Sequence, residues 1–389
     1  MQVNTDPERI DELLTRGVDE VIGEDELRER LSTGERLRVK LGIDPTSPNL
    51  HIGRSVPLLK LRDFQALGHQ VVFIAGDFTG VIGDTSDKDS ERPMLEREVV
   101  EQNKRAYFDQ LRTLIDLEQA ELHYNSEWLE SLTYRDVAEH ANLFSLAEFV
   151  GRDNIKRRLD SGKRVSLRET LYPLMQGYDS VAVKADVELG GVDQRFNLLA
   201  GRTMQPHFGQ APQSLVITTF PIEGLDGRKM SSSWGNTVNF RDDPADMFGK
   251  IMSVRDELVR KYFTLLTRVP LTEVAAVCAS HPKEAKIRLA SEIVALYHNE
   301  AAAAQAEALF RETFSEGAIP DAVPEVPARE TLQETLVEAG IIASNAEYRR
   351  LIDGGAVTHL EAGERVTERG AIARAGTYRI GKKRFVRIV

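Results

Sequence analysis

From Leu37 onward the chain repeats one pattern: a short apolar run, a turn, then an amphipathic stretch of helical period. Residues 37–43 read as a strand, 53–67 as a helix that Gly68 stops, and 70–76 (QVVFIAG) as the next strand. A long helix is expected from about Met94 to Ile115. VELGG at 187–191 leads into a helix from Asp193, and SLVITTF fills 214–220. Strands joined through helices of this length do not close as hairpins; they lie parallel, and each crossover lays its helix on a face of the sheet. The pattern therefore predicts an α/β protein with a doubly wound parallel sheet. Ligands of such sheets sit beyond the carboxyl ends of the strands, where the strand order reverses. Residues 44–53 fall at that end of the first strand.

The remainder departs from the alternation. Residues 1–33 carry helical spacing through Ile10, Leu13 and Leu14, then Val21, Leu27 and Leu31. Residues 90–170 are charged and mostly helical in pattern, and after Asp242 the pattern is helical throughout. SEGAIPDAVPEVPARE at 315–330 has three prolines and no period, the mark of a linker. The expected order is a Rossmann-type domain over 1–240 with a connective insertion at about 90–170, a helical domain over 241–316, a linker over 317–330 and a small α+β module over 331–389. More than one core is required for 389 residues. A hydrophobic fraction of 41% with 29% charged residues fits a globular protein and excludes a disordered or fibrous one. No apolar run approaches 18 residues and the start is acidic, so neither a membrane span nor a signal peptide is expected, and the location is read as cytoplasmic. The single cysteine, Cys278, excludes an internal disulfide and reads as a buried small hydrophobe. A net charge of −11 speaks against a surface coated in nucleic acid but leaves room for a local basic patch.

Three segments carry candidate chemistry. DPTSPNLHIGR at 44–54 opens a helix whose N-terminus offers N–H groups and partial positive charge to a phosphate. Gly53 removes a side chain where a base or ribose would lie against the backbone. Thr46 and His51 suit the oxygens of a triphosphate as charge develops; Asp44 has the wrong sign for phosphate and suits an ammonium or a hydroxyl. GRKMSSSWGN at 227–236 supplies a mobile cation in Lys229 and small donors in Ser231, Ser232 and Ser233, as a loop closing over pyrophosphate requires. In YPLMQGYD at 172–179, Tyr172, Gln176 and Asp179 are four and three apart and share one helix face, a polar pocket wall. Each segment alone also reads as ordinary structure: a strand–loop–helix joint, a solvated serine-rich loop, three surface residues. Their conjunction is the specific signal.

HIGR with KMSSS resembles the two signatures of class I aminoacyl-tRNA synthetases. DPTSPNLHIG, GDFTGVIGDTS at 76–86, YPLMQGYD and GGVDQRFN at 190–197 resemble the tyrosyl-tRNA synthetases over nearly the whole chain. The resemblance implies an enzyme that forms tyrosyl-adenylate from L-tyrosine and ATP, with Mg²⁺ arriving on the ATP, and passes the tyrosyl group to tRNA(Tyr). It places Thr46, His51, Lys229 and Ser232 at the reacting phosphates, and Gly53, Arg54, Gly191, Asp193, Met230 and Ser231 at the nucleotide. It places Asp44 and Gln194 near the amino acid, Thr79, Asp84, Tyr172 and Gln176 around its α-ammonium, and Asp179 as acceptor from its phenol. A buried acceptor rejects phenylalanine because it is left unpaired, a rule for which tyrosine-specific synthetases are the standard illustration. Three positions depart from the family pattern: Lys40 stands where a tyrosine commonly touches the phenol, Arg54 where histidine is common, and Ser232 where a second lysine is usual. Lys229, with Arg228 beside it, then carries the loop's charge, and Arg54 is read as offsetting the charge missing at 232.

The terminal module, 331–389, holds ten Lys/Arg and seven Asp/Glu, so it is basic within an acidic chain. It reads as two short helices followed by strand-like AVTHL, TYRI and KRFVRIV, and resembles the S4-type RNA-binding module. Arg349, Arg350, Lys382 and Lys383 are its candidate RNA contacts. RDNIKRRLDSGKR at 152–164 is either a second RNA contact or a solvated helix. A homodimer through the insertion is implied by resemblance alone. The alternatives are the tryptophan-specific sister enzyme, a non-catalytic RNA-binding protein that keeps the fold, and a small nucleotidyltransferase.

Overall fold

The computed structural model describes residues 2–84, 94–314, 323–381 and 384–389. They form two compact units that divide between Ala306 and Glu307.

The first unit is built on six strands: β1 (Val18–Ile22), β2 (Arg38–Ile43), β3 (Gln70–Ala75), β4 (Glu121–Tyr124), β5 (Val187–Gly191) and β6 (Ser214–Thr218). Their order is β1-β6-β5-β2-β3-β4, parallel throughout except that β1 runs antiparallel to β6 at one edge. The chain steps outward from β2 through β3 to β4, then returns to the other side of β2 for β5 and β6. The order thus reverses between β2 and β5, so the switch point lies beyond Ile43 and Gly191. β5 and β6 are buried along their whole length and β3 all but at its first residue, which is why these strands are near-continuous apolar runs. The helix Ser55–Ala66 buries Val56, Leu58, Leu59, Leu61 and Phe64 against them. Leu198 of the helix Arg195–Met204 packs on Leu215 and Ile217 of β6, and Val183, just past the helix Arg168–Ala182, packs on Val72 and Ile74 of β3.

Two strands lie where helix was expected. Val18–Ile22, inside the stretch with helical spacing, is the edge strand β1; the helices Pro7–Thr15 and Glu24–Ser32 flank it, and Val21 matches the helical spacing by coincidence. β4 lies inside the stretch read as an insertion. The helix Arg97–Leu111 and β4 belong to the sheet's own alternation, so the helical excursion begins after Tyr124 and runs to Asp160. Helices from Pro244–Met252 to Glu300–Phe314 follow as expected, the first capped by Asp243, which accepts from the Ala245 N–H at 2.9 Å. Cys278 is only partly buried, because its helix, Leu271–Cys278, buries Val274 alone.

The second unit has its own core. The helices Leu332–Glu338 and Asn345–Asp353 cover a sheet of β7 (Glu325–Val326), β8 (Val357–His359), β9 (Glu364–Arg365), β10 (Gly376–Ile380) and β11 (Arg384–Ile388), in the order β7-β11-β10-β8-β9. Leu332, Leu336, Tyr348, Ile352, Tyr378 and Val386 fill the space between. Thr331 and Glu334 form a reciprocal cap on the first helix. β7 lies in the proline-bearing stretch read as a linker and pairs with β11 at the sheet edge, where a flanking proline costs no ladder bond. Residues 315–322 of that stretch lie outside the described residues.

Candidate active site

Beyond the carboxyl ends of β2, β3, β5 and β6 lies a cavity of about 340 Å³. Its wall collects side chains from segments nearly 190 positions apart in the chain: Asp44, Thr46, His51 and Arg54 after β2, Thr79 and Asp84 after β3, Tyr172, Gln176 and Asp179 from the helix Arg168–Ala182, Gly191, Asp193 and Gln194 at the end of β5, and Lys229, Met230, Ser231 and Ser232 after β6. Gly53 lies directly behind this wall.

At one end the polar groups form a continuous chain. The Tyr172 hydroxyl donates to Asp44 at 2.9 Å, and the Thr79 hydroxyl donates to the other oxygen of Asp44 at 2.7 Å. Asn125 donates to Thr79 at 2.9 Å and to Asp179 at 3.3 Å, and the Trp128 indole N–H donates to Asp179 at 2.8 Å. Asp44 is drawn so close beneath β3 that a β-carbon at Gly76 would collide with its carboxylate; only glycine fits. Burial pushes the Asp179 carboxyl up to about 7, against the pull of the Lys40 charge and the two donors. Burial and the neighbouring Asp44 push the Tyr172 hydroxyl well above its ordinary range, so it stays a donor. Gln194 donates to Asp84 at 2.7 Å, tying the β5 end to the β3 loop.

At the other end the two signature segments touch. The Gly53 N–H points at the Met230 sulfur at 3.3 Å, and Ile52 N–H donates to the Val238 carbonyl at 2.9 Å. A β-carbon at Gly53 would stand 2.9 Å from His51 Nδ1 and 3.2 Å from the Met230 sulfur, so this glycine lets the two segments meet. His51 is buried, its Nδ1 makes no hydrogen bond, and burial with the adjoining Arg54 and Lys229 charges lowers it to about 3. It is a neutral imidazole at physiological pH. Asn236 pins the second segment: its side chain accepts from the Ser231 N–H at 2.8 Å and donates to the Lys229 carbonyl at 3.0 Å.

Residues 32–315 match the family described as tRNA synthetases class I (W and Y). A tyrosine–tRNA ligase of Moorella thermoacetica is 45% identical over 97% of this chain and 94% of its own length, and one of Oleidesulfovibrio alaskensis is 46% identical over 97% of each. This chain belongs to the tyrosine–tRNA ligase family. Among solved structures, a tyrosyl-tRNA synthetase of Archaeoglobus fulgidus complexed with L-tyrosine is 25% identical with a TM-score of 0.61, over 77% of this chain and 99% of that one.

Within a tyrosine–tRNA ligase the three departures take on physical form. Lys40 does not line the cavity; it is fully buried beneath it, 2.9 Å from Glu188. Among the described residues Arg54 and Lys229 are the two cations on the cavity wall, whereas Arg228 turns away, bonded to Asp226 at 2.7 Å and stacked over Trp234 at 4.9 Å. Ser232 begins a 3₁₀ turn, Ser232–Trp234, at the cavity rim. Asn125 and Trp128 were not anticipated from sequence. Their signal was a strand end followed by a helix start, concealed in a stretch read as helical insertion. In the second unit Arg349 and Arg350 are exposed on the helix Asn345–Asp353, while Lys382 and Lys383 lie outside the described residues.

Proposed function

We infer that this member of the family joins L-tyrosine to tRNA(Tyr) in two steps. A carboxylate oxygen of tyrosine attacks the α-phosphorus of ATP in line with the departing pyrophosphate, giving tyrosyl-adenylate. A hydroxyl of the terminal tRNA ribose then attacks the carbonyl carbon, AMP leaves, and the hydroxyl proton passes to the medium. No side chain forms a covalent bond; positioning and electrostatic stabilisation carry the rate.

The observation that carries this reading is one cavity holding a hydrogen-bonded acidic wall at one end and His51, Arg54 and Lys229 at the other. In the proposed assignment, Thr79, Asp84, Tyr172 and Gln176 receive the α-ammonium, with Asp44 and Gln194 beside the amino acid. Asp179 accepts from the phenol. Thr46, His51, Lys229 and Ser232 hold the reacting phosphates; Gly53, Arg54, Gly191, Asp193, Met230 and Ser231 bound the nucleotide. Mg²⁺ enters as part of the substrate, on the ATP phosphates, where it neutralises developing charge. The second unit is assigned to tRNA through Arg349 and Arg350, supported by their exposure and by the basic balance of residues 331–389 within it. A homodimer is included because Leu146 and Leu159 of the helical excursion and Leu167 just after it are 67%, 44% and 77% exposed, apolar area that a second copy would cover. The place of action is the cytoplasm, where translation uses the product; no helix among the described residues is long and apolar enough to cross a membrane.

Amino-acid-dependent ATP–pyrophosphate exchange tests the reading, with tyrosine, phenylalanine and tryptophan supplied separately. Exchange with tyrosine is expected, and relaxation toward phenylalanine in Asp179→Ala. Exchange with tryptophan instead would make this the sister enzyme, and none with any of the three would leave an RNA-binding protein.

A further inference from the structure

Lys40 and Glu188 are direct neighbours across the β2–β5 pair, at the strand junction where the sheet order reverses. Their side chains are 0% and 1% exposed, and the ammonium lies 2.9 Å from the carboxylate. Neither residue lines the cavity. A buried ion pair is weak support for stability, because desolvating two charges offsets their attraction. Its partners point to another use. Lys40 Nζ donates to the Ser180 hydroxyl at 2.7 Å and to the Gln176 carbonyl at 3.0 Å, both on the helix that walls the amino-acid end. Glu188 accepts from the Gln176 side-chain amide at 3.2 Å, from the Ser180 hydroxyl at 3.0 Å and from Gln213.

We propose that the buried Lys40–Glu188 pair is the positioning element of tyrosine recognition, fixing from below the cavity floor the helical turn that presents Gln176 and Asp179. The pair holds Gln176 twice, by main-chain carbonyl and by amide nitrogen, which leaves the side-chain oxygen as the end available to an ammonium. It holds Ser180, the residue next to Asp179, by both oxygen lone pair and proton. Asp179 is thereby kept where Trp128 and Asn125 reach it, with the Lys40 charge behind it favouring the carboxylate. Lys40 thus serves phenol recognition without touching the phenol, through the wall and not through the cavity. This role presupposes the tyrosine-ligase reading above.

The test is exchange kinetics on the full chain, comparing wild type with the double variant Lys40→Met, Glu188→Gln. That pair removes both charges together, so neither is left buried alone, and glutamine retains an acceptor for Gln176 and Ser180. The expected result is a KM for tyrosine raised by about tenfold or more and a narrowed tyrosine-to-phenylalanine ratio of kcat/KM, with kcat for tyrosine within a factor of about three, since the reacting phosphates lie at the other end. A purely structural role would lower kcat through lost active enzyme and leave KM and the ratio unmoved; that result overturns the proposal. Ser180→Ala, which removes one tether and no charge, is expected to move KM and the ratio in the same direction by a smaller factor. If the double variant fails to fold, an unchanged KM and ratio in Ser180→Ala overturns the proposal on its own. Wild-type exchange absent with tyrosine would overturn the ligase reading and this role with it, whereas an active wild type with an unmoved variant overturns this role alone.

Discussion

Asp179 and His51 are two buried groups whose titration has moved in opposite directions, the carboxyl up and the imidazole down. With its carboxyl near 7, Asp179 gains a proton as pH falls below neutral and ceases to be an anionic acceptor. The KM for tyrosine is therefore expected to rise as pH is lowered from about 8 to about 6, and Asp179→Asn to remove that pH dependence while raising KM throughout. His51 has a folded-state value near 3, below the ordinary 6.5, so its contribution to stability is complete above about 6.5 and is lost as pH falls toward 3. Thermal melts of His51→Asn are expected to fall less than wild type between neutral pH and about pH 4.5. The same variant, or Lys229→Ala, is expected to lower the activation kcat by about 10²-fold with little change in the tyrosine KM. Arg54→His tests whether Arg54 offsets the charge missing at Ser232: an unchanged activation rate would sink that idea. At this scale the sequence was legible where function is written in contiguous loops, as in the 44–54 and 227–236 segments. It was silent on Glu188, an acid inside the apolar run VELGG, because only the strand pairing reveals Lys40 as its neighbour.

Among the elements, legibility followed burial. β2, β3, β5 and β6 were read because a parallel strand covered on both faces must be apolar along its length. β1 and β4, at the sheet's two edges, are only partly buried and carry charges such as Glu20 and Glu121, so nothing in their composition separates them from the helices around them. The helix Arg168–Ala182 shows how an element is seated for its task. At Gly177 a β-carbon would lie 2.7 Å from the Met204 sulfur and 3.1 Å from the Ala200 backbone, so this helix and Arg195–Met204 touch almost backbone to backbone. Gly177→Ala is expected to push them apart at a cost of about 1–3 kcal/mol, read as a lowered Tm, with a raised KM for tyrosine because Gln176 and Asp179 flank the forced contact.

On the scale of the whole molecule, the proposed function divides activation and tRNA capture between the two compact units. Arg349→Ala with Arg350→Ala is expected to leave exchange unchanged and weaken tRNA charging, and the salt dependence of tRNA binding to lose about one unit of slope for each phosphate contact removed. The basic balance of residues 331–389 was readable from composition; the edge strand β7 was not, because a two-residue strand between prolines has no periodicity to read. The cavity's contributors run from residue 41 to residue 232, drawn from five strand ends, Asn125 standing just after β4, and from a helix. During synthesis, then, the cavity wall is complete only once the ribosome has delivered every strand of the sheet and the loop after the sixth. The enzyme that supplies translation has its whole site only after translation has carried it past its sixth strand.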